Sequence, residues 1–154
     1  MLTDTERQEI ERELSHYRDK RAACVEALKI VQRHRGWVSD ESLKSLSAVL
    51  DMTPDELDGV ATFYNLIFRK PVGRHVILLC DSVSCWVTGY ERIREHLTSR
   101  LGIGFSQTTP DARFTLLPIV CIGACDHAPA LMIDDDLHGN LTPEKVDTIL
   151  EKYQ

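Results

Sequence analysis

The sequence predicts an α+β protein: an N-terminal helical bundle over residues 1–70, then a small α/β unit with a mixed sheet over residues 71–154. Three observations carry that reading. Apolar residues recur at helical spacing through the first part of the chain. The segment Arg69-Lys70-Pro71-Val72-Gly73 then breaks the pattern and marks a boundary. Beyond it, short apolar runs of strand length alternate with helical stretches, and two of those runs end in cysteine.

The elements follow in order. Residues 3–17 are charged and helical, with Ile10, Leu14 and Tyr17 forming one apolar stripe. A second helix over residues 21–34 turns inward either Val25, Leu28 and Val31 or Ala27 and Ile30, and Gly36 caps it after basic His34 and Arg35. Ser39 caps a third helix whose buried side is Leu43, Leu46, Val49 and Leu50. Thr53-Pro54-Asp55-Glu56 is a capping box with proline at the first helical position, and Leu57, Val60, Ala61 and Tyr64 continue that fourth helix.

Residues 75–79 then read as a strand, followed by a loop after Cys80 and a helix over residues 87–100 that Gly102 and Gly104 end. Residues 113–118 are a second strand. Strand, helix and strand make a crossover, which favours parallel pairing. Residues 130–133 are a third strand, and a turn at Asp134-Asp135-Asp136 leads to a short fourth near residues 137–141. Thr142-Pro143-Glu144 opens a last helix, with Val146, Ile149, Leu150 and Tyr153 on its inner face. About four strands with helices on the faces of the sheet is a thioredoxin-like arrangement. Pro129 stands just before the third strand, where such folds often place a cis proline; the sequence leaves both isomers open.

A hydrophobic fraction of 43% and a charged fraction of 27% describe a globular chain, and its net charge of −6 divides into −2 over residues 1–70 and −4 over residues 71–154. The helices meeting at Asp51-Met52-Thr53 resemble a helix-turn-helix, but this acidic balance lacks the basic footprint of a nucleic-acid binder. No stretch approaches the roughly 20 apolar residues of a membrane span. The first residues also lack the basic-then-apolar pattern of a signal peptide. The expected setting is the cytosol, or the periphery of a membrane through a partner, with no direct insertion. There is no Gly-x-Gly-x-x-Gly and no Walker loop, so no nucleotide site is recognisable.

Five cysteines in a reducing compartment argue against a disulfide framework and for metal or redox chemistry. Four of them form two pairs, Cys80-Asp81-Ser82-Val83-Ser84-Cys85 and Cys121-Ile122-Gly123-Ala124-Cys125, each pair following a strand-like run. Strands that end in cysteine deliver thiols to the rim of a sheet. Four thiolates meeting there bind a soft metal or an iron–sulfur cluster. Zinc knuckles usually have two residues between paired cysteines, and a thioredoxin-type centre needs Cys-x-x-Cys, which is absent. A plant-type ferredoxin shares only the four-residue spacing of the first pair. Two loops with two thiolates each suit a 2Fe-2S cluster, one pair per iron, and zinc remains the alternative. Gly123 would let amide N–H groups approach sulfur, and Ser82 and Ser84 are candidate hydroxyl donors, more simply read as loop residues. His127 could replace a cysteine as ligand, but four cysteines suffice. Cys24, alone in the second helix, reads as a small buried residue.

At these residues the sequence resembles the small 2Fe-2S subunit of the NADH-dehydrogenase module of respiratory complex I, NADH:quinone oxidoreductase. The two cysteine segments, the second extended through Asp126-His127-Ala128-Pro129, look like that family's signatures. Gly36-Trp37, residues 54–57 and Ala61-Thr62-Phe63-Tyr64 resemble its helical part. The likeness spans almost the whole chain. It implies a thioredoxin-like ferredoxin domain after a helical bundle, with Cys80, Cys85, Cys121 and Cys125 as cluster ligands and no catalytic residues of its own. It also implies a larger partner subunit carrying FMN, the NADH site and a 4Fe-4S cluster, together with further complex I subunits. The place implied is the cytoplasmic side, in the peripheral arm of a membrane-bound complex of the respiratory chain. The role implied is single-electron exchange with the FMN, beside the main electron route. Related subunits serve NAD-linked hydrogenases and formate dehydrogenases, and a zinc-stabilised interaction module is the rival from another class.

Overall fold

The computed structural model describes residues 1–153 and separates the chain into two compact units, Met1–Pro71 and Val72–Gln154. The first unit holds helices α1 (Asp4–Leu14), α2 (Cys24–Arg35), α3 (Asp40–Leu50) and α4 (Pro54–Phe63). Their start signals work as read. Ser39 accepts from the Ser42 amide, and Thr53 and Glu56 complete both halves of a capping box. Thr3 and Glu6 form a second capping box at the start of α1. Gly36 closes α2 in the left-handed conformation. Ile10, Leu28, Val31, Leu46, Leu50, Leu57 and Ala61 meet in one core. Each fully buried leucine there contributes about 1.5–3 kcal/mol of transfer free energy.

Polar ties fix the ends of these helices. The Glu6 carboxylate, 1% exposed, accepts from Arg35 Nε at 2.6 Å and Nη2 at 2.7 Å. Gln32 holds the segment after α4, donating to the Leu66 carbonyl at 2.8 Å and accepting from the Phe68 amide at 2.6 Å. The apolar stripes end earlier than helical spacing suggests. Tyr17 lies beyond α1, Tyr64 caps α4 from outside, and both are exposed. A 3-10 turn, Lys20–Ala23, replaces the expected first turn of the second helix, because the Asp19 carboxylate captures the Arg21 amide.

The second unit is built on a mixed sheet of five strands in the order β2-β3-β1-β4-β5. These are β1 (His75–Cys80), β2 (Gln107–Thr108), β3 (Phe114–Ile119), β4 (Leu131–Ile133) and β5 (Asp136–His138). β1 is central, parallel to β3 and antiparallel to β4. Pro118 fits in β3 because alternate residues face alternate edges. The Phe114 and Leu116 carbonyls accept from Thr109 and Ser106 on the outer side, so the missing N–H of Pro118 also falls there. Helices α5 (Val83–Thr88), α6 (Tyr90–Leu101) and α7 (Pro143–Leu150) complete the unit, with His96 of α6 bonded to Asp147 of α7 at 2.9 Å. β2 was not expected: two residues are too few to show alternation, and only β3 holds them extended. No helix among the described residues is long and apolar enough to cross a membrane.

Candidate metal centre

Topology brings the two cysteine segments together. Cys80 is the last residue of the central strand, in register with Ile119 on β3. On the other side of Cys80, its amide donates to the Ala130 carbonyl at 3.2 Å, just ahead of β4. The chain between Ile119 and Ala130 therefore leaves one neighbour of Cys80 and returns to the other. In doing so it passes over the end of β1, and Cys121 and Cys125 lie on that passage. The Ala128–Pro129 bond is cis, where the return begins.

Cys85 is placed differently from the loop expected after Cys80. It lies in the first turn of α5, a six-residue helix that Gly89, with φ +125°, separates from α6. Valine and threonine depress helix propensity there, so only the folded context reveals the turn. Cys85 is 2% exposed and Cys80 3% exposed. Burial first, then hydrogen bonding to Cys80 and the charges of Cys80 and Cys125, push the Cys85 thiol up to about 11, while the Ala130 backbone opposes them. The Cys80 thiol points at the Val120 carbonyl, 4.0 Å away.

Cys121 and Cys125 are exposed. Between them Gly123 has φ +75° and donates its amide N–H to Cys121 Sγ at 3.3 Å, the backbone approach its position suggested. Cys125 opens a 3-10 turn, Cys125–His127, which is braced from outside. The His127 carbonyl accepts from the Asn140 amide at 2.5 Å, and Gly139 packs so closely that a Cβ would stand 2.5 Å from His127 Cβ. His127 itself pairs with Asp126 at 3.3 Å. The Ser82 side chain makes no capping hydrogen bond. Among the described residues, no three His, Cys, Asp or Glu side chains converge closely enough to chelate a single ion. Cys24 lies in α2 of the other unit, and burial raises its thiol pKa.

The periodicity did not reveal the exposed apolar residues on the same two segments. Val83, Trp86, Val87 and Val120 are 74%, 56%, 78% and 75% exposed. Only the strand register and the break at Gly89 show that they point outward.

Comparison with known proteins agrees with this architecture. The profile of the thioredoxin-like 2Fe-2S ferredoxin family matches residues 10–154. The E-type subunit of NADH-quinone oxidoreductase from Pseudomonas aeruginosa is 54% identical over 99% of this chain and 92% of its own length. Its Escherichia coli counterpart is 52% identical over the same shares. Among solved structures, an air-oxidised NAD+-reducing NiFe hydrogenase superposes with a TM-score of 0.73 at 29% identity; the match covers 86% of this chain and 23% of the hydrogenase chain. The chain belongs to the thioredoxin-like 2Fe-2S ferredoxin family and, within it, to the E-type subunits of NADH-quinone oxidoreductase.

Proposed function

We propose that this chain is the electron-transfer subunit of the NADH-oxidising module of NADH:quinone oxidoreductase, holding one 2Fe-2S cluster on Cys80, Cys85, Cys121 and Cys125. The observation that carries the reading is the passage of the second cysteine pair over the strand end that bears Cys80, with Cys85 buried beside it. The donor set fits the group. It supplies four soft sulfurs from two segments, and an amide hydrogen bond already rests on one of them. When bound, the cluster supplies a reversible one-electron site. This chain's residues would hold it, exclude water on the Cys80 and Cys85 side, and set its potential through backbone N–H groups.

The electron partner is the FMN of a larger subunit that also carries the NADH site and a 4Fe-4S cluster. This division of labour is consistent with a chain in which no nucleotide-binding motif is recognisable. Val83, Trp86, Val87 and Val120 support a protein partner close to the thiols, since exposed apolar residues grouped around a site mark contact surfaces. The place of such a subunit is the cytoplasmic side of the membrane, in the peripheral arm. An equivalent role in an NAD-linked hydrogenase is the second reading, favoured by the structural likeness to the NAD+-reducing hydrogenase. The NADH-quinone oxidoreductase relatives match at higher identity and over 92% of their own length, which supports the first reading over the second.

Low-temperature EPR of the anaerobically purified chain, before and after dithionite, tests the proposal, with iron and sulfide counted on the same sample. An S = 1/2 signal that appears only on reduction, with equal iron and sulfide, is the expected result. A colourless sample containing zinc refutes it.

A further inference from the structure

The four thiols differ in access because of where the fold puts them. Cys80 ends the central strand and Cys85 lies in the first turn of α5, at 3% and 2% exposure. Cys121 and Cys125 are exposed on the crossing loop. That outer pair is also held ready: Gly123 fixes the bend between them and keeps its N–H on Cys121 Sγ at 3.3 Å. Exchange of thiolates on a metal requires the incoming sulfur to reach the metal while the donor's sulfur is still attached. Thiol reactivity follows access, so a bulky donor reaches an exposed thiol before a buried one.

The geometry points to an order of cluster uptake. Cys121 and Cys125 take a preformed 2Fe-2S unit from a thiolate-ligated donor, and Cys80 and Cys85 close on it afterwards. This inference rests on the four-cysteine ligand set of the proposed function. In each exchange the Sγ–H bond of a cysteine gives up its proton, an Fe–Sγ bond forms and an Fe–S bond to the donor breaks. The departing donor thiolate takes up the proton, and no electron changes hands. The inner pair then acts as the lock: once Cys80 and Cys85 have displaced the last donor thiolates, two of the four cysteine sulfurs that would hold the cluster are buried ones.

Anaerobic stopped-flow circular dichroism of the full-length cluster-free chain mixed with a glutathione-ligated 2Fe-2S cluster tests this order. Wild type shows a capture phase proportional to donor concentration, then a closure phase independent of it. Cys121→Ala and Cys125→Ala slow capture by about tenfold or more, in line with the loss of the accessible thiols. Cys80→Ala and Cys85→Ala capture at the wild-type rate but stall with glutathione still attached, which native mass spectrometry detects as added mass. An independent reading that needs no variant is iodoacetamide labelling of the cluster-free chain, followed by peptide mass spectrometry. Cys121 and Cys125 label about tenfold faster than Cys80 and Cys85. Capture lost in the Cys80 and Cys85 variants but kept in the other two overturns the order, as does equal labelling of all four thiols. A wild-type chain that takes no cluster at all refutes the proposed function instead, so the two failures are distinct.

Discussion

Replacing Gly123 by valine separates backbone strain from packing in the second cysteine loop. Gly123 has φ +75°, and a Cβ there would meet nothing within 4 Å, so the cost of a side chain lies in the backbone alone. A left-handed conformation costs an L-residue about 1–2 kcal/mol, and a β-branched one sits at the upper end. The loop relieves that strain by rotating out of the left-handed region, which turns the amide away from Cys121 Sγ, now 3.3 Å distant. An N–H donor to sulfur favours the reduced, more negative cluster. Losing a hydrogen bond of about 1 kcal/mol lowers a one-electron potential by about 40 mV, because 59 mV corresponds to a tenfold change. The assay is a redox titration followed by EPR on wild type, Gly123→Val and Gly123→Asn. Asparagine tolerates the left-handed region, so its potential should stay near wild type while that of valine falls. A valine variant that titrates with wild type, or an asparagine variant that falls as far as valine, would refute the reasoning.

Other perturbations reach different parts of the chain. Glu6→Gln breaks the buried pair with Arg35 and should destabilise the helical unit by about 3 kcal/mol, read by urea melts of Trp37 fluorescence in a Trp86→Phe background. Hydrogen bonding from Arg35, chiefly, holds the Glu6 carboxyl at about 2, below its ordinary 4.5. That contribution is therefore complete above about pH 4.5 and lost as the pH falls through about 2, a slope that Glu6→Gln should flatten. Gly139→Ala forces a Cβ into His127 and should displace the turn bearing Cys125; faster loss of iron to a chelator is the expected readout, and wild-type retention would sink the bracing role. Purified without glutathione, Cys85→Ala should lose its iron and sulfide while Cys24→Ala keeps both at wild-type content, and the opposite pattern in metal analysis would overturn the ligand set.

What the sequence made legible depends on how local the cause was. Thr53, Glu56, Ser39 and Gly36 act within one turn of chain, so the starts of α3 and α4 and the end of α2 could be read directly. The runs from His75 to Cys80 and from Phe114 towards Cys121 announced themselves by apolar content. β2 and α5 did not, because neither owes its form to its own residues. Gln107 and Thr108 are extended only because β3 lies beside them, and Val83–Thr88 is helical against its propensity. The spacing of the thiols was plain, yet the contrast between an inner and an outer pair was not. That contrast arises from the Cys80–Ile119 register and the return path to Ala130, which are contacts between residues far apart in sequence.

Pro118 has a consequence at the margin of the sheet. β2 reaches only as far as Leu116, and among the described residues no strand pairs with the outer edge of β3 beyond it. Another chain arriving there as an added strand would need an amide to dock against, and the ring of Pro118 leaves none at that position. The bare edge beside the cysteine rim is thereby protected from the edge-to-edge stacking that turns exposed sheets into aggregates. The rim that bears the four thiols thus sits beside an edge that copies of this chain cannot readily extend.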